Sequence, residues 1–276
     1  MKIKRPFFCD TFAPALAVGL LVLTVLAGPF LVRQSPYQSE FAHVLQAPSL
    51  NHWLGTDELG RDMTSRILRG ARMSLLIAAT VQSAAALLGI LVGLIAGYSN
   101  RMIDGVLMSL VDVMYGFPAL VIVIVLVAVL PPGVPSLIAA LTFVSWALPA
   151  SVMRSKVMLL RNEEYVVAAQ ALGASRVRIL FRHVLPNAIG PMIVLFTQGA
   201  AATIISESAL SYMGLGLPTS YPTLGGMIAK GRDYLLGSPH VALVPTCALV
   251  LTILCINRLG NALRLHLDPR LQRFQN

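Results

Sequence analysis

Read along the chain, apolar residues fall into long runs with almost no charge between them, separated by shorter polar stretches. A helix needs about 20 mostly apolar residues to cross the hydrocarbon core of a bilayer. Six stretches qualify: 13–31, 74–98, 103–130, 136–153, 189–210 and 241–259. The predicted fold is therefore an all-α membrane protein, a helical bundle of six spans. The chain divides into an N-terminus and first span (1–32), an external segment (33–73), a core bundle (74–259) and a tail (260–276). One polar interruption, 154–188, is long enough to fold on its own account.

Within that interruption the pattern changes to helical period. Asn162 is placed to cap a helix, with Glu163 and Glu164 in the first turn, where carboxylates favour the positive end of the helix dipole. Tyr165, Ala168, Ala169 and Leu172 then recur on one face, and Gly173 is suited to the left-handed conformation that stops the helix. Ser175 is placed to cap a second helix carrying Val177, Leu180, Phe181 and Val184 on one face and Arg176, Arg178 and Arg182 on the other, with Pro186 expected to end it. Such a hairpin could simply lie on lipid. The small residues Ala168, Ala169 and Gly173 favour close approach by another surface instead.

Composition agrees with the membrane reading: 56% of residues are hydrophobic and only 12% charged. Basic residues sort the loops. Taking the N-terminus as cytoplasmic puts Lys and Arg on that side at about two to one, so both termini and the 154–188 loop are expected in the cytoplasm. The net charge of +9 needs no nucleic acid, because anionic lipid headgroups attract these residues. The first run is long for a signal peptide, and no small-residue cleavage site follows it.

Candidate chemistry is sparse. Three cysteines and five histidines show no metal-ligand spacing, and no histidine falls inside a span to activate a serine there. An intramembrane hydrolase is thus the weaker rival reading, and a secondary transporter another. Two acids do lie within spans, Asp112 and Glu207, and neither can face lipid cheaply. Each could line a translocation path or brace the bundle; Asp112, six residues before the kink expected at Pro118, favours bracing, while Glu207, near Ser211, is open.

The motif running from Ala168-Ala169 through Gly173 to Leu185-Pro186 resembles the EAA loop of ATP-binding-cassette importer permeases. The string from Glu164-Tyr165 through Ala174 to His183-Val184-Leu185-Pro186-Asn187 is similar to the dipeptide, oligopeptide and nickel branch. The block His52-Trp53-Leu54-Gly55-Thr56-Asp57-Glu58-Leu59-Gly60-Arg61-Asp62, running on to Ser74-Leu75, resembles the C-type permease of that branch, as do Leu210 to Gly216 and Leu267 to Arg270. Val167 stands where the motif has glutamate, Leu224 where tryptophan is usual, and Asn261 where aspartate is usual.

The resemblance implies a MetI-like fold and a non-catalytic permease of a bacterial inner-membrane importer that moves a peptide or a nickel or other metal chelate by alternating access. It implies a B-type permease as heterodimer partner, one or two ABC ATPase subunits using ATP and Mg, and an extracytoplasmic solute-binding protein. The chain itself has no phosphate-binding Gly-x-x-x-x-Gly-Lys-[Ser/Thr] loop. The loop residues Glu164, Tyr165, Ala168, Ala169, Gly173, Ala174, His183, Leu185, Pro186 and Asn187 would then form the ATPase-coupling surface. Local physics also reads in the C-type block: Gly55 and Gly60 permit tight turns around an Asx turn at Asp57, and Arg66, Arg69 and Arg72 are expected as a solvated basic face.

Overall fold

The computed structural model describes residues 35–218 and 220–267, together with Gly19, Ala27 and Gly28. The predicted first span and the end of the tail lie outside the described residues. Regular structure among those described is helical, with one isolated bridge between Thr56 and Asp62.

Helix α1 (Met63–Tyr98) begins eleven residues before the predicted span, because Asp62 caps it and accepts the Ser65 N–H at 2.8 Å. The third predicted span is broken. Helices α2 (Arg101–Gly116) and α3 (Ala119–Val129) meet at 88° across Phe117-Pro118; proline lacks the N–H that would continue the ladder and holds its predecessor extended. The fourth span runs from Val134 to Leu160 as α4 (Val134–Ser145) and α5 (Ala147–Leu160). It therefore absorbs the first residues of the predicted loop.

The remaining elements are α6 (Glu164–Ala171), the 37-residue α7 (Arg176–Tyr212), α8 (Leu224–Gly231) and α9 (His240–Leu267). Four helices are long and apolar enough to cross a membrane, and the bent α2–α3 pair makes up to five among the described residues. That is compatible with six spans, the first of them undescribed.

The most extensive packing joins α1 to α5. Gly89, Gly93 and Gly97 recur every four residues, so they share one face of α1. A Cβ on them would lie 2.5 Å from Pro149 Cβ, 2.6 Å from Met153 Cβ and 2.7 Å from Val157 Cβ respectively. Backbones approach this closely only where side chains are absent, which is how helices gain contact when lipid removes the hydrophobic drive between them.

Candidate functional site

The platform is built on α6. Glu163, not Asn162, occupies its cap position; the Asn162 side chain instead donates back to the Met158 carbonyl at 3.4 Å. Gly173 has φ +79°, as its predicted stop role requires, and Ser175 caps α7 by accepting the Arg178 N–H. The expected helix end at Pro186 is not found. A π turn over Leu180–Val184 widens the helix just before it, with the Leu185 N–H reaching the Leu180 carbonyl, and α7 continues into the fifth span. Pro186 removes one N–H from the ladder and crowds the preceding turn; the wider turn accommodates this without stopping the helix.

The apolar faces divide in a way period alone did not show. Val166, Ile179 and Val184 are fully buried with Met153, Val157, Ala188 and Leu94, forming a cluster that locks the platform onto α1, α5 and α7. Leu180 and Ala169 pack against its edge. Tyr165, Ala168 and Leu172 remain exposed, and so do Val177 and Phe181. Two further bonds secure the root: Arg161 Nη1 donates to the Gly97 carbonyl at 3.1 Å, and Gln170 Nε2 to the Tyr98 hydroxyl at 3.1 Å. Around the docking candidates, Glu164, Pro186 and Asn187 are exposed, and Ala174, His183 and Leu185 half-buried. The His183 and Tyr165 rings lie 6.4 Å apart, tilted at 47°, and Asn187 donates to the His183 carbonyl at 2.7 Å.

The two intramembrane acids differ sharply. Glu207 is fully buried and accepts hydrogen bonds from Ser74 at 3.0 Å, Ser211 at 2.9 Å and Ser208 at 3.4 Å, which ties α1 to α7. It braces. Asp112 is exposed and makes no hydrogen bond or ion pair among the described residues. The brace near it is Asp104, whose carboxylate takes a two-pronged bond from Arg154, with Nη2 at 2.6 Å. Pro118 stands at the α2–α3 bend. There Tyr115 and Ala119 join Ser145, Gln198, Thr203 and Ser206 around a cavity of about 380 Å³. Its wall is mostly apolar with amide and hydroxyl groups and no charged side chain; Gln82 crosses it to reach Thr203 Oγ1 at 2.8 Å. Sequence reading missed Gln82, Asp104 and Arg154, because polar residues on different spans show no pairing in sequence.

At the opposite end, Gly55 and Gly60 take φ +79° and +73°, and Asp57 Oδ1 accepts the Leu59 and Arg61 N–H groups in the expected Asx turn. The solvated basic face is only partly found. Arg66 is 4% exposed and lies 3.2 Å from Asp57 Oδ2, while Arg61 bonds Asp57 at 2.7 Å and Glu58 at 2.9 Å. Glu58 also meets Lys230 of α8 at 3.3 Å. Leu224, at the position where tryptophan is usual, is fully buried with Met63 and Ile67. Gly225 presses on the Ser208 backbone, with its notional Cβ 2.2 Å from that carbonyl. The loop 52–62, α8 and the Glu207 brace thus form one continuous cap.

The sequence that builds this platform, cap and mostly apolar cavity matches a known family. Residues 89–273 match the model of the binding-protein-dependent transport system inner membrane component. The chain belongs to this family. Three relatives are similar over nearly its whole length. The dipeptide transport system permease DppC of Alkalihalophilus pseudofirmus is 36% identical over 92% of this chain and 86% of that protein. The glutathione transport permease GsiD of Pectobacterium atrosepticum is 35% identical over 94% and 87%, and the oligopeptide permease OppC of Bacillus subtilis 37% over 93% and 86%. Among solved structures, the MetNI methionine ABC transporter aligns with a TM-score of 0.60 at 16% identity, covering 74% of this chain and 96% of that one, a likeness of fold. The protein is a multi-pass inner-membrane permease subunit of an ABC importer, and does not itself catalyse a reaction. The permease therefore works with ATPase and solute-binding partners, and ATP use lies with the former.

Proposed function

We propose that this permease carries short peptides and is driven through the platform at 162–187. The observation that carries the reading is the division of the platform's faces. Val166, Ile179 and Val184 fix its inner side rigidly, while Tyr165, Ala168, Leu172, Val177 and Phe181 leave an apolar outer side uncovered. An apolar face of this kind on a folded platform marks a contact surface. Its occupant is an ATPase subunit, which docks on the small-residue face and the Gly173 turn; with Val167 in place of the motif glutamate, packing rather than a salt bridge supplies the contact. Because α5 closes the fourth span and α7 runs on from the platform into the fifth, a push on the platform moves those spans as a lever.

The platform and both termini are cytoplasmic and the Asp57–Arg66 cap external, a reading supported by the placement of basic residues. The cap is where a solute-binding protein delivers cargo. Helix α2 buries only Val111, and α3 only Val123, among their described side chains. This bare, bent span and the cavity beside it support a B-type permease as the second half of the path, with Asp112 on the shared side. Peptide cargo is supported by the names of the relatives and by amide and hydroxyl groups in that cavity, which pair readily with peptide groups.

The deciding experiment expresses the permease with its partners, replaces Leu172 with Glu, and follows ATPase co-purification and uptake of a panel of dipeptides, longer peptides, glutathione and nickel. Loss of ATPase and uptake from an inserted permease supports docking; normal uptake overturns it. Uptake of nickel but of no peptide overturns the cargo.

A further inference from the structure

At the root of the platform the ends of three spans surround a polar cavity of about 560 Å³. Tyr98 closes α1, Asn100 caps α2, Arg161 follows α5, and Arg176 opens α7, while Val167 and Gln170 of α6 form the remaining wall. Arg161 and Arg176 line this space, and no acidic residue does. Arg161 spends one N–H on the Gly97 carbonyl and keeps the rest of its fork. Arg176 is exposed and forms no ion pair among the described residues. Neutral donors complete the set. The Asn100 side-chain oxygen is engaged by the Ile103 N–H, which leaves its amide hydrogens, and the Tyr98 hydroxyl accepts from Gln170 and retains its own proton. The chemistry of the cavity is that of an anion receptor with a fork suited to phosphate.

Apart from Ala174 beside the Gly173 turn, the cavity wall turns away from the proposed docking face. At 3.6 residues per turn, Val167 and Gln170 point roughly 160° away from the face shared by Tyr165, Ala168 and Leu172. Its level in the molecule identifies the anion's source, because helix ends mark the depth of the headgroups, and basic pockets between such ends attract anionic lipids. Val167 matters here too: a carboxylate at this half-exposed position would offset one of the two positive charges that line the cavity.

We propose that this cavity binds the phosphate of an anionic phospholipid headgroup, with Arg161 and Arg176 as its ligands. A bound lipid bridges the α1–α2 turn, the end of α5 and the platform, and so sets the platform's angle to the membrane. This holds whatever cargo crosses the bundle.

The test uses the assembled transporter, purified from nanodiscs containing phosphatidylglycerol and phosphatidylcholine, with retained lipid counted by native mass spectrometry. Retention of phosphatidylglycerol should weaken about five-fold for each of Arg161→Gln and Arg176→Gln, and Val167→Glu, which adds one negative charge, should weaken it about as much as either one without removing an arginine. Phosphatidylcholine retention should not change. Equal phosphatidylglycerol retention by all variants overturns the proposal. Displacement of the lipid by millimolar inorganic phosphate would make the free ion the ligand and overturn the lipid assignment. Loss of the ATPase subunits from Arg161→Gln or Arg176→Gln would place the cavity in the docking interface and overturn it as well.

Discussion

The Ser74 hydroxyl donates to the Glu207 carboxylate at 3.0 Å, joining two helices across 133 positions of sequence, and Ser211 holds the other carboxylate oxygen at 2.9 Å. Because the acid is fully buried and its partners are hydroxyls, the interaction depends on an acceptor at this point more than on a charge.

Glu207→Ala therefore strands the serine hydroxyls in an apolar setting and should lower stability by about 1–3 kcal/mol. Glu207→Gln keeps one carbonyl acceptor, and hydroxyls can turn to accept its amide, so it should lose less. Thermal unfolding of the detergent-solubilised protein compares them. If both variants unfold with the parent, the brace contributes nothing.

The glycine face of α1 gives a contrast of neighbours. Gly93→Leu must fit a side chain where a Cβ alone would already meet Ala150 O and Met153 Cβ at 2.6 Å, an overpacking penalty of about 1–3 kcal/mol or more. Gly105→Ala, a helical glycine with open space around it, should be neutral or slightly stabilising. A shared melting midpoint for the two variants would contradict the close α1–α5 packing.

In the cap, Asp57→Ala leaves Arg66 buried without its carboxylate and Arg61 with Glu58 alone, a loss of about 3–5 kcal/mol. Lys230 is 38% exposed, and Lys230→Ala should change stability by less than about 1 kcal/mol. Denaturation of the two variants side by side checks the ranking, and the reverse order would show the network to be solvated.

Gly173 has nothing within 4 Å of a notional Cβ, so its role is conformational. Proline cannot reach φ +79°, and Gly173→Pro should break the turn between α6 and α7 and uncouple ATP hydrolysis from uptake while the spans still insert. A bulky residue at Ala168 should do the same by blocking approach. Vesicle ATPase and uptake assays, run on one preparation, read the coupling ratio; an unchanged ratio for both removes the platform from the transmission path.

The sequence makes much of this legible wherever a property depends on a few consecutive residues. Spans follow from local hydropathy, the Gly173 turn and the Ser175 cap from local backbone preference, and the Asx turn at Asp57 from side-chain reach. The same sequence treats Asp112 and Glu207 alike, as costly acids in spans, and offers Val166 and Val167 as equivalent neighbours. Only the fold separates them: serines from distant helices enclose Glu207 while Asp112 stays open, and Val166 points into the cluster of α1, α5 and α7 while Val167 faces the basic cavity. Pro186 and Arg66 show the same limit, one carried through by a π turn, the other buried by Asp57. Burial and pairing are set by residues far along the chain, and the distance between them becomes small only when the helices pack.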